Sequence, residues 1–147
     1  MSTRVLIVDD DAEVCSLLGK VLVRAGYDVL TATTGEAGLE ALKAGPVGCL
    51  VVDKLLPRLG GLEVMAEARR LHPGLPVVLV TAHPEPFVLG DERPDAVLAK
   101  PFKDLAAVEE AVQAALAPRS PARLAELRER VAAVVAEISP LRRNRRE

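Results

Sequence analysis

The sequence has few aromatic residues, only two cysteines and no long apolar run. Aromatic side chains make up 2% of the 147 residues, and tryptophan is absent. A site that stacks nucleic-acid bases or encloses a ligand in an aromatic cage is therefore not expected. The two cysteines, Cys15 and Cys49, fit neither a disulfide framework nor a zinc-binding pattern. We interpret both as small apolar residues in a reducing cytosol.

The sequence also lacks the signals of membrane insertion and export. It contains no stretch of about 18 apolar residues, so no transmembrane helix is expected. Asp9, Asp10 and Asp11 occupy the region where a signal peptide would need its apolar segment. These features predict a cytoplasmic protein with no membrane partner.

Half of the residues are apolar, which is enough to form the core of one domain with a short appendage. The net charge of −2 conceals an uneven distribution. Residues 1–117 contain 11 basic and 17 acidic side chains, whereas residues 118–147 contain 8 basic and 4 acidic ones. An acidic body is thus followed by a basic tail.

Short apolar runs alternate with helical patterns through the first 117 residues. The runs predict strands at 5–8, 28–32, 48–52, 76–80 and 95–99. Apolar residues at spacings of three and four predict helices around 14–22, 37–42, 62–71 and 105–116. This order predicts a doubly wound α/β domain with a five-stranded parallel sheet covered on both faces.

The segment between the fourth and fifth predicted strands interrupts this alternation. It contains Pro84, Pro86, Pro94 and Gly90, which leave room for one or two helical turns at most. We therefore predict that the fourth of five expected crossover helices is short or absent.

Residues 118–139 form a predicted amphipathic helix, and residues 140–147 a basic, disordered tail. Apolar residues spaced 3, 4, 3 and 4 apart form a short seam along the helix, at Leu124, Leu127, Val131, Val134 and Ile138. The seam supports two hypotheses, namely that the helix forms a homodimer or that it packs on its own domain. The tail lacks aromatic residues and is too short for a helix-turn-helix domain, so no nucleic-acid partner is expected.

Chemically active side chains follow four of the five predicted strands. Asp9 and Asp10 follow the first, Asp53 the third, Thr81 the fourth and Lys100 the last. Each alone has an ordinary interpretation as a cap or turn residue, and Asp11 is predicted to cap the first helix. Ligands of open parallel sheets bind at the carboxyl ends of the strands, so together these residues predict one shared site if strands one and three are neighbours.

The sequence resembles the receiver domain of bacterial two-component response regulators over residues 3–117. The resemblance rests on four motifs in the family's order and spacing, at residues 5–11, 51–61, 78–82 and 98–102. It implies the strand order 2-1-3-4-5. It also implies that Asp53 accepts a phosphoryl group from a histidine kinase or a histidine phosphotransfer protein. The output would be contact with an unknown downstream protein, without enzymatic activity.

The resemblance further assigns roles to the neighbouring residues. Asp9, Asp10, Asp53 and the backbone carbonyl of Leu55 would bind Mg²⁺. Thr81, the backbone of Ala82 and Lys100 would contact the phosphoryl group. Crowded carboxylates repel one another, which explains why a cation is needed at such a site.

One position departs from the family pattern, and two others occupy places whose use varies within the family. Val97 stands where the family usually has an aromatic residue that reports phosphorylation. His83 and Leu55 stand where the family tunes the lifetime of the phosphoryl group, although His83 also fits an ordinary loop. One alternative function is therefore a receiver-like scaffold whose binding does not depend on phosphorylation. Another is a Mg²⁺-dependent phosphohydrolase, but Leu55 occupies the position where such enzymes need a second acid.

Overall fold

A computed structural model of the chain describes residues 2–82, 93–117, 129 and 131–136. Within them, five strands and four helices alternate for most of the length: β1 (Arg4–Val8), α1 (Ala12–Arg24), β2 (Asp28–Ala32), α2 (Gly35–Ala44), β3 (Cys49–Asp53), α3 (Gly61–Leu71), β4 (Val77–Thr81), β5 (Ala96–Ala99) and α4 (Ala106–Leu116). The strands lie within one residue of the predicted bounds. The predicted short fourth helix between β4 and β5 falls outside the described residues.

All five strands are parallel, in the order β2-β1-β3-β4-β5, as predicted. Every residue of the central strands β3 and β4 is buried, as the continuous apolar runs predicted. The edge strands β2 and β5 are more exposed, with one buried residue each. Strands β1 and β3 are neighbours, so their carboxyl ends meet at one edge.

The sheet separates two apolar cores. Val5 and Ile7 of β1 face α1 and α4, whereas Leu6 and Val8 of the same strand face α2 and α3. The helices thus cover both faces of the sheet in pairs. Among the described residues, no helix is both long enough and apolar enough to cross a membrane.

Helix α1 begins at the predicted cap and ends before a glycine. The Asp11 side chain caps α1 and accepts hydrogen bonds from the backbone N–H groups of Glu13 at 2.9 Å and Val14 at 3.4 Å. Gly26, two residues after α1, has a φ of 99°, a left-handed conformation that glycine adopts without strain.

The chain divides into two units, Met1–Leu116 and Ala117–Glu147. In the second unit, residues 129 and 131–136 are helical and exposed. Val131 and Val134 of the predicted seam are 63% and 44% exposed. The other seam residues, Leu124, Leu127 and Ile138, lie outside the described residues, as does the predicted tail.

Candidate functional site

The structure brings the predicted residues together at the carboxyl edge of the sheet. Asp9 directly follows β1, Asp53 ends β3, Thr81 ends β4, and Lys100 directly follows β5. Among the described residues, the buried polar residues are Asp9, Asp53 and Thr81, with exposures of 1%, 7% and 1%. Burial of two carboxylates is costly unless they are paired, so their charge must be balanced nearby.

Lys100 supplies that balance. Its Nζ lies 2.9 Å from Asp9 Oδ2 and 3.0 Å from Asp53 Oδ2. Burial by itself lowers the pKa of Lys100, but the hydrogen bonds and charges of the two carboxylates outweigh this effect and raise the pKa above its usual value. Lys100 is therefore a fixed positive charge between β1 and β3.

Backbone N–H groups orient the second oxygen of each buried carboxylate. The N–H of Asp11 donates to Asp9 Oδ1 at 2.9 Å, and the N–H of Leu55 donates to Asp53 Oδ1 at 3.1 Å. Each carboxylate is thus held between a backbone donor on one side and Lys100 on the other. The orientation of both groups is set before any ligand binds.

The carboxylates of Asp9, Asp10 and Asp53 form a group that suits a metal ion. One oxygen from each lies within 4.8 Å of the others, and Asp10 is exposed while the other two are buried. Three carboxylate oxygens are hard ligands, which Mg²⁺ prefers. The residues present therefore fit the cation that the resemblance implies.

The loop after Asp53 passes very close to the start of α3. A Cβ atom at Gly61 would overlap the carbonyl oxygen of Asp53 and lie 2.7 Å from Lys54 Cα. The N–H of Gly61 donates to the carbonyl of Lys54 at 3.0 Å, which closes this turn. Glycine at position 61 thus allows α3 to begin beside Asp53. The Gly-Gly pair at residues 60 and 61 is visible in the sequence, but the close approach that requires glycine is visible only in the structure.

The remaining predicted residues lie around this centre. Ala82 is exposed and directly follows Thr81, whose carbonyl accepts a hydrogen bond from the N–H of Lys100 at 2.9 Å. Leu55 is 65% exposed beside Asp53, and Val97 on β5 is 44% exposed. His83 lies outside the described residues.

Both cysteines are buried and free, consistent with their interpretation as core residues. Burial raises the pKa of Cys49 to about 12. Burial also raises the pKa of Cys15, and the nearby charge of Asp9 adds to the effect. The Cys15 thiol donates to the carbonyl of Asp9 at 3.3 Å. Burial thus favours the neutral form of both thiols.

A family model described as the response regulator receiver domain matches residues 5–113. The chain belongs to this family. The matched residues contain the described β-sheet except Arg4, together with the acidic cluster.

Relatives and solved structures agree with this assignment. The alkaline phosphatase synthesis transcriptional regulatory protein PhoP of Bacillus subtilis is 38% identical over 105 residues, which cover 69% of this chain and 44% of PhoP. The chain therefore spans less than half the length of that relative. The chemotaxis response regulator CheY4 of Vibrio cholerae shares the fold, with a TM-score of 0.70 at 22% identity over 79% of this chain and all of CheY4.

A third similar protein was solved with ligands. The response regulator TrrA of Thermotoga maritima, in complex with Mg²⁺ and BeF, has a TM-score of 0.67 at 28% identity. The match covers 78% of this chain and 99% of that one.

Proposed function

We propose that this receiver domain accepts a phosphoryl group on Asp53 and signals by contact with another protein. The donor would be a phosphohistidine of a histidine kinase or of a histidine phosphotransfer protein, in a cytoplasmic two-component system. The observation that carries the proposal is Asp53 itself, a buried carboxylate oriented by the Leu55 N–H and paired with Lys100.

In the proposed transfer, a carboxylate oxygen of Asp53 attacks the phosphorus atom. A new P–O bond forms while the P–N bond to the donor histidine breaks. The electron pair of that bond returns to the imidazole nitrogen, and an acyl phosphate remains on Asp53. Such transfers depend mainly on positioning and on stabilising the negative charge of the transferred group.

Asp9, Asp10, Asp53 and the carbonyl of Leu55 would hold Mg²⁺. The cation would neutralise the carboxylates and help to orient the phosphoryl oxygens when bound. The Mg²⁺ and BeF complex of TrrA supports this assignment by similarity.

The residues at the ends of β4 and β5 would stabilise the product. Lys100 would pair with a phosphoryl oxygen, while the Thr81 hydroxyl and the backbone N–H of Ala82 would donate to the other oxygens. Because the acyl phosphate adds charge and strong acceptors, it can pull Thr81 toward Asp53 and shift the balance between two conformations. Proteins that distinguish the two conformations would be the downstream partners.

In one alternative function, the chain keeps the receiver fold but binds its partner independently of phosphorylation. Val97 offers no aromatic ring to report phosphorylation, which favours a scaffold that binds its partner in either state. The complete set of carboxylates, hydroxyl and lysine at the sheet edge favours phosphorylation instead, because a scaffold has no need of a buried carboxylate cluster.

Intact-protein mass spectrometry after incubation with acetyl phosphate tests the proposal. We expect a single phosphoryl adduct that requires Mg²⁺ and is absent from Asp53→Asn. The matched control is Asp28→Asn, which removes a carboxylate at the start of β2, the opposite end of the sheet. An adduct in Asp53→Asn at the wild-type rate would refute the assignment of the nucleophile.

If the wild-type protein forms no adduct with acetyl phosphate, binding of Mg²⁺ and beryllofluoride is measured instead. Binding of both by the wild-type protein, lost in Asp53→Asn, would support the phosphoacceptor site. Absence of binding would favour the phosphorylation-independent scaffold.

A further inference from the structure

Strand β5 leads directly into Lys100, so the position of this strand sets the position of Lys100. It has four residues, lies at the edge of the sheet and pairs with β4 among the described residues. Leu98 is its single buried residue, whereas Val97 is 44% exposed. Since strand side chains alternate between faces, a shift of one residue would carry Lys100 away from its two carboxylates. Contacts at the start of β5 therefore bear directly on the position of Lys100.

A buried ion pair anchors the start of β5. Arg69 Nη2, on α3, lies 2.8 Å from Asp95 Oδ2, and the two side chains are 13% and 5% exposed. The same oxygen of Asp95 accepts a hydrogen bond from the N–H of Val77 at 2.9 Å. The N–H of Asp95 in turn donates to the carbonyl of Val77 at 2.8 Å. Asp95 thus ties the start of β5 to the start of β4.

Arg69 extends this anchor to the segments before both strands. Its Nε donates to the carbonyl of Leu75 at 3.2 Å, and its Nη1 donates to the carbonyl of Arg93. Leu75 precedes β4 and Arg93 precedes β5. A planar guanidinium can reach all these acceptors from one position, which a lysine ammonium cannot do. Arg69 therefore holds both strand starts against α3.

This ion pair lies at the end of β5 opposite to Lys100. Asp95 and Lys100 are separated by about 16 Å of extended chain, so the pair does not touch the carboxylate cluster. Buried ion pairs add little net stability over apolar residues of the same volume, and their best-attested role is to fix register. The ion pair and the cluster are linked through the strand between them.

We propose that Arg69 and Asp95 are positioning residues that fix the register of β5 and thereby place Lys100 Nζ between Asp9 and Asp53. Their effect on phosphoryl transfer rests on the function proposed above. Their effect on the position of Lys100 does not, so the two can be measured separately.

The direct test is the reactivity of Lys100 toward an amine-acylating reagent, measured by peptide mass spectrometry on the full chain. Asp95→Asn keeps the shape of the side chain and an acceptor for Val77 but removes the charge that pairs with Arg69. We expect Lys100 to be acylated severalfold faster in Asp95→Asn than in the wild type, because its ammonium is no longer held between the carboxylates. The exposed Lys43 serves as the internal reference.

The matched control is Arg4→Met. It removes the exposed ion pair between Arg4 and Asp28, which joins the starts of β1 and β2 at the same end of the sheet. This variant should leave the acylation rate of Lys100 at the wild-type value. Faster acylation in Arg4→Met as well would indicate general loosening and overturn the specific role of Asp95.

Arg69→Lys provides a second variant for which folding is less at risk. It keeps a positive charge opposite Asp95, so no buried carboxylate is left without a counter-charge, but it cannot span all three acceptors. We expect acylation of Lys100 between the rates of the wild type and Asp95→Asn. Wild-type rates in both variants, with unchanged circular dichroism, would overturn the proposal.

Phosphoryl uptake from phosphoramidate then tests whether Asp95 affects phosphoryl transfer by positioning Lys100. Because misplacement of a reacting group by about 1 Å can cost up to about 10²-fold in rate, we expect uptake to slow about tenfold in Asp95→Asn. The same substitution should have no further effect in a Lys100→Ala background. If Asp95→Asn slowed uptake equally in the wild-type and Lys100→Ala backgrounds, Asp95 would not act on phosphoryl transfer through Lys100. Faster acylation of Lys100 in Asp95→Asn, together with a wild type that neither takes up phosphate nor binds Mg²⁺ with beryllofluoride, would refute the proposed function and leave the positioning role intact.

Discussion

At the scale of single residues, three neighbours in the turn between β1 and α1 have different surroundings. Asp9 is buried and bonded to Lys100, Asp10 is exposed at the cluster, and Asp11 caps α1. Three consecutive aspartates are thus a buried partner of Lys100, an exposed member of the carboxylate cluster and a helix cap. Substitution of each aspartate therefore removes a different contact.

Two glycines provide a prediction at this scale. Gly61→Ala should lower the free energy of unfolding by about 1–3 kcal/mol, because its Cβ would overlap the Asp53 carbonyl and force the loop to move. Gly19→Ala, in the middle of α1, should raise it by about 0.5–1 kcal/mol, because its Cβ meets Val29 at an ordinary 3.7 Å and alanine favours the helix. Urea denaturation measures both, and equal effects of the two variants would contradict the close approach at Gly61.

At the scale of helices and strands, the sequence predicts the buried strands and the site residues that directly follow them. Strands β1, β3 and β4 stand out as continuous apolar runs because both of their faces are buried. The site residues could be found because each follows such a run. Strand bounds moved by up to one residue, since the last paired residue depends on the neighbouring strand rather than on the local sequence.

Other features could not be predicted because they depend on contacts between distant parts of the chain. Arg69 and Asp95 are 26 residues apart, and nothing in the spacing of either residue marks the pair. The close approach of Gly61 to Asp53 likewise depends on the path of the loop. Such contacts follow from the packing of α3 on the sheet, which the sequence pattern does not specify.

The C-terminal helix gives a prediction about self-association. Val131 and Val134 are exposed helical residues of the predicted seam, which is compatible with pairing between two copies of the chain. If the helix forms a homodimer, Val134→Asp should sediment as a monomer where the wild type sediments as a dimer. The matched control is Ala133→Asp, which adds the same charge one residue away, off the seam, and should leave the dimer intact.

Analytical ultracentrifugation distinguishes the two hypotheses for this helix. A wild-type protein that sediments as a monomer at all concentrations would contradict the dimer and favour packing of the helix on its own domain. Phosphoryl uptake by Val134→Asp should equal that of the wild type, because the site residues all lie in residues 9–100.

At the scale of the whole molecule, the proposed cation site predicts a stability that depends on Mg²⁺. Ligands that bind only the folded state stabilise it, by about 2.7 kcal/mol at a concentration of 100 times Kd. Saturating Mg²⁺ should therefore raise the Tm of the wild-type protein by about 5–10 °C, and a chelator should reverse the change. Differential scanning calorimetry measures this shift.

Asp10→Asn tests whether the shift comes from the cluster. Asp10 is exposed and bridges no strands, so its replacement should leave the Tm without metal nearly unchanged while reducing the Mg²⁺ effect. Asp28→Asn, remote from the cluster, should respond to Mg²⁺ like the wild type. An equal response of Asp10→Asn and the wild type would argue against the cation site.

The two cores have a consequence for how such a domain can diverge in evolution. Alternate residues of one strand serve different helix pairs, so substitutions beneath α2 and α3 leave the packing beneath α1 and α4 largely unchanged. Either helical layer can thus acquire a new surface, and with it a new partner, while the carboxyl edge of the sheet keeps its carboxylates, hydroxyl and lysine. If the proposed function holds, a lineage can change the protein that it contacts without rebuilding the phosphoacceptor site.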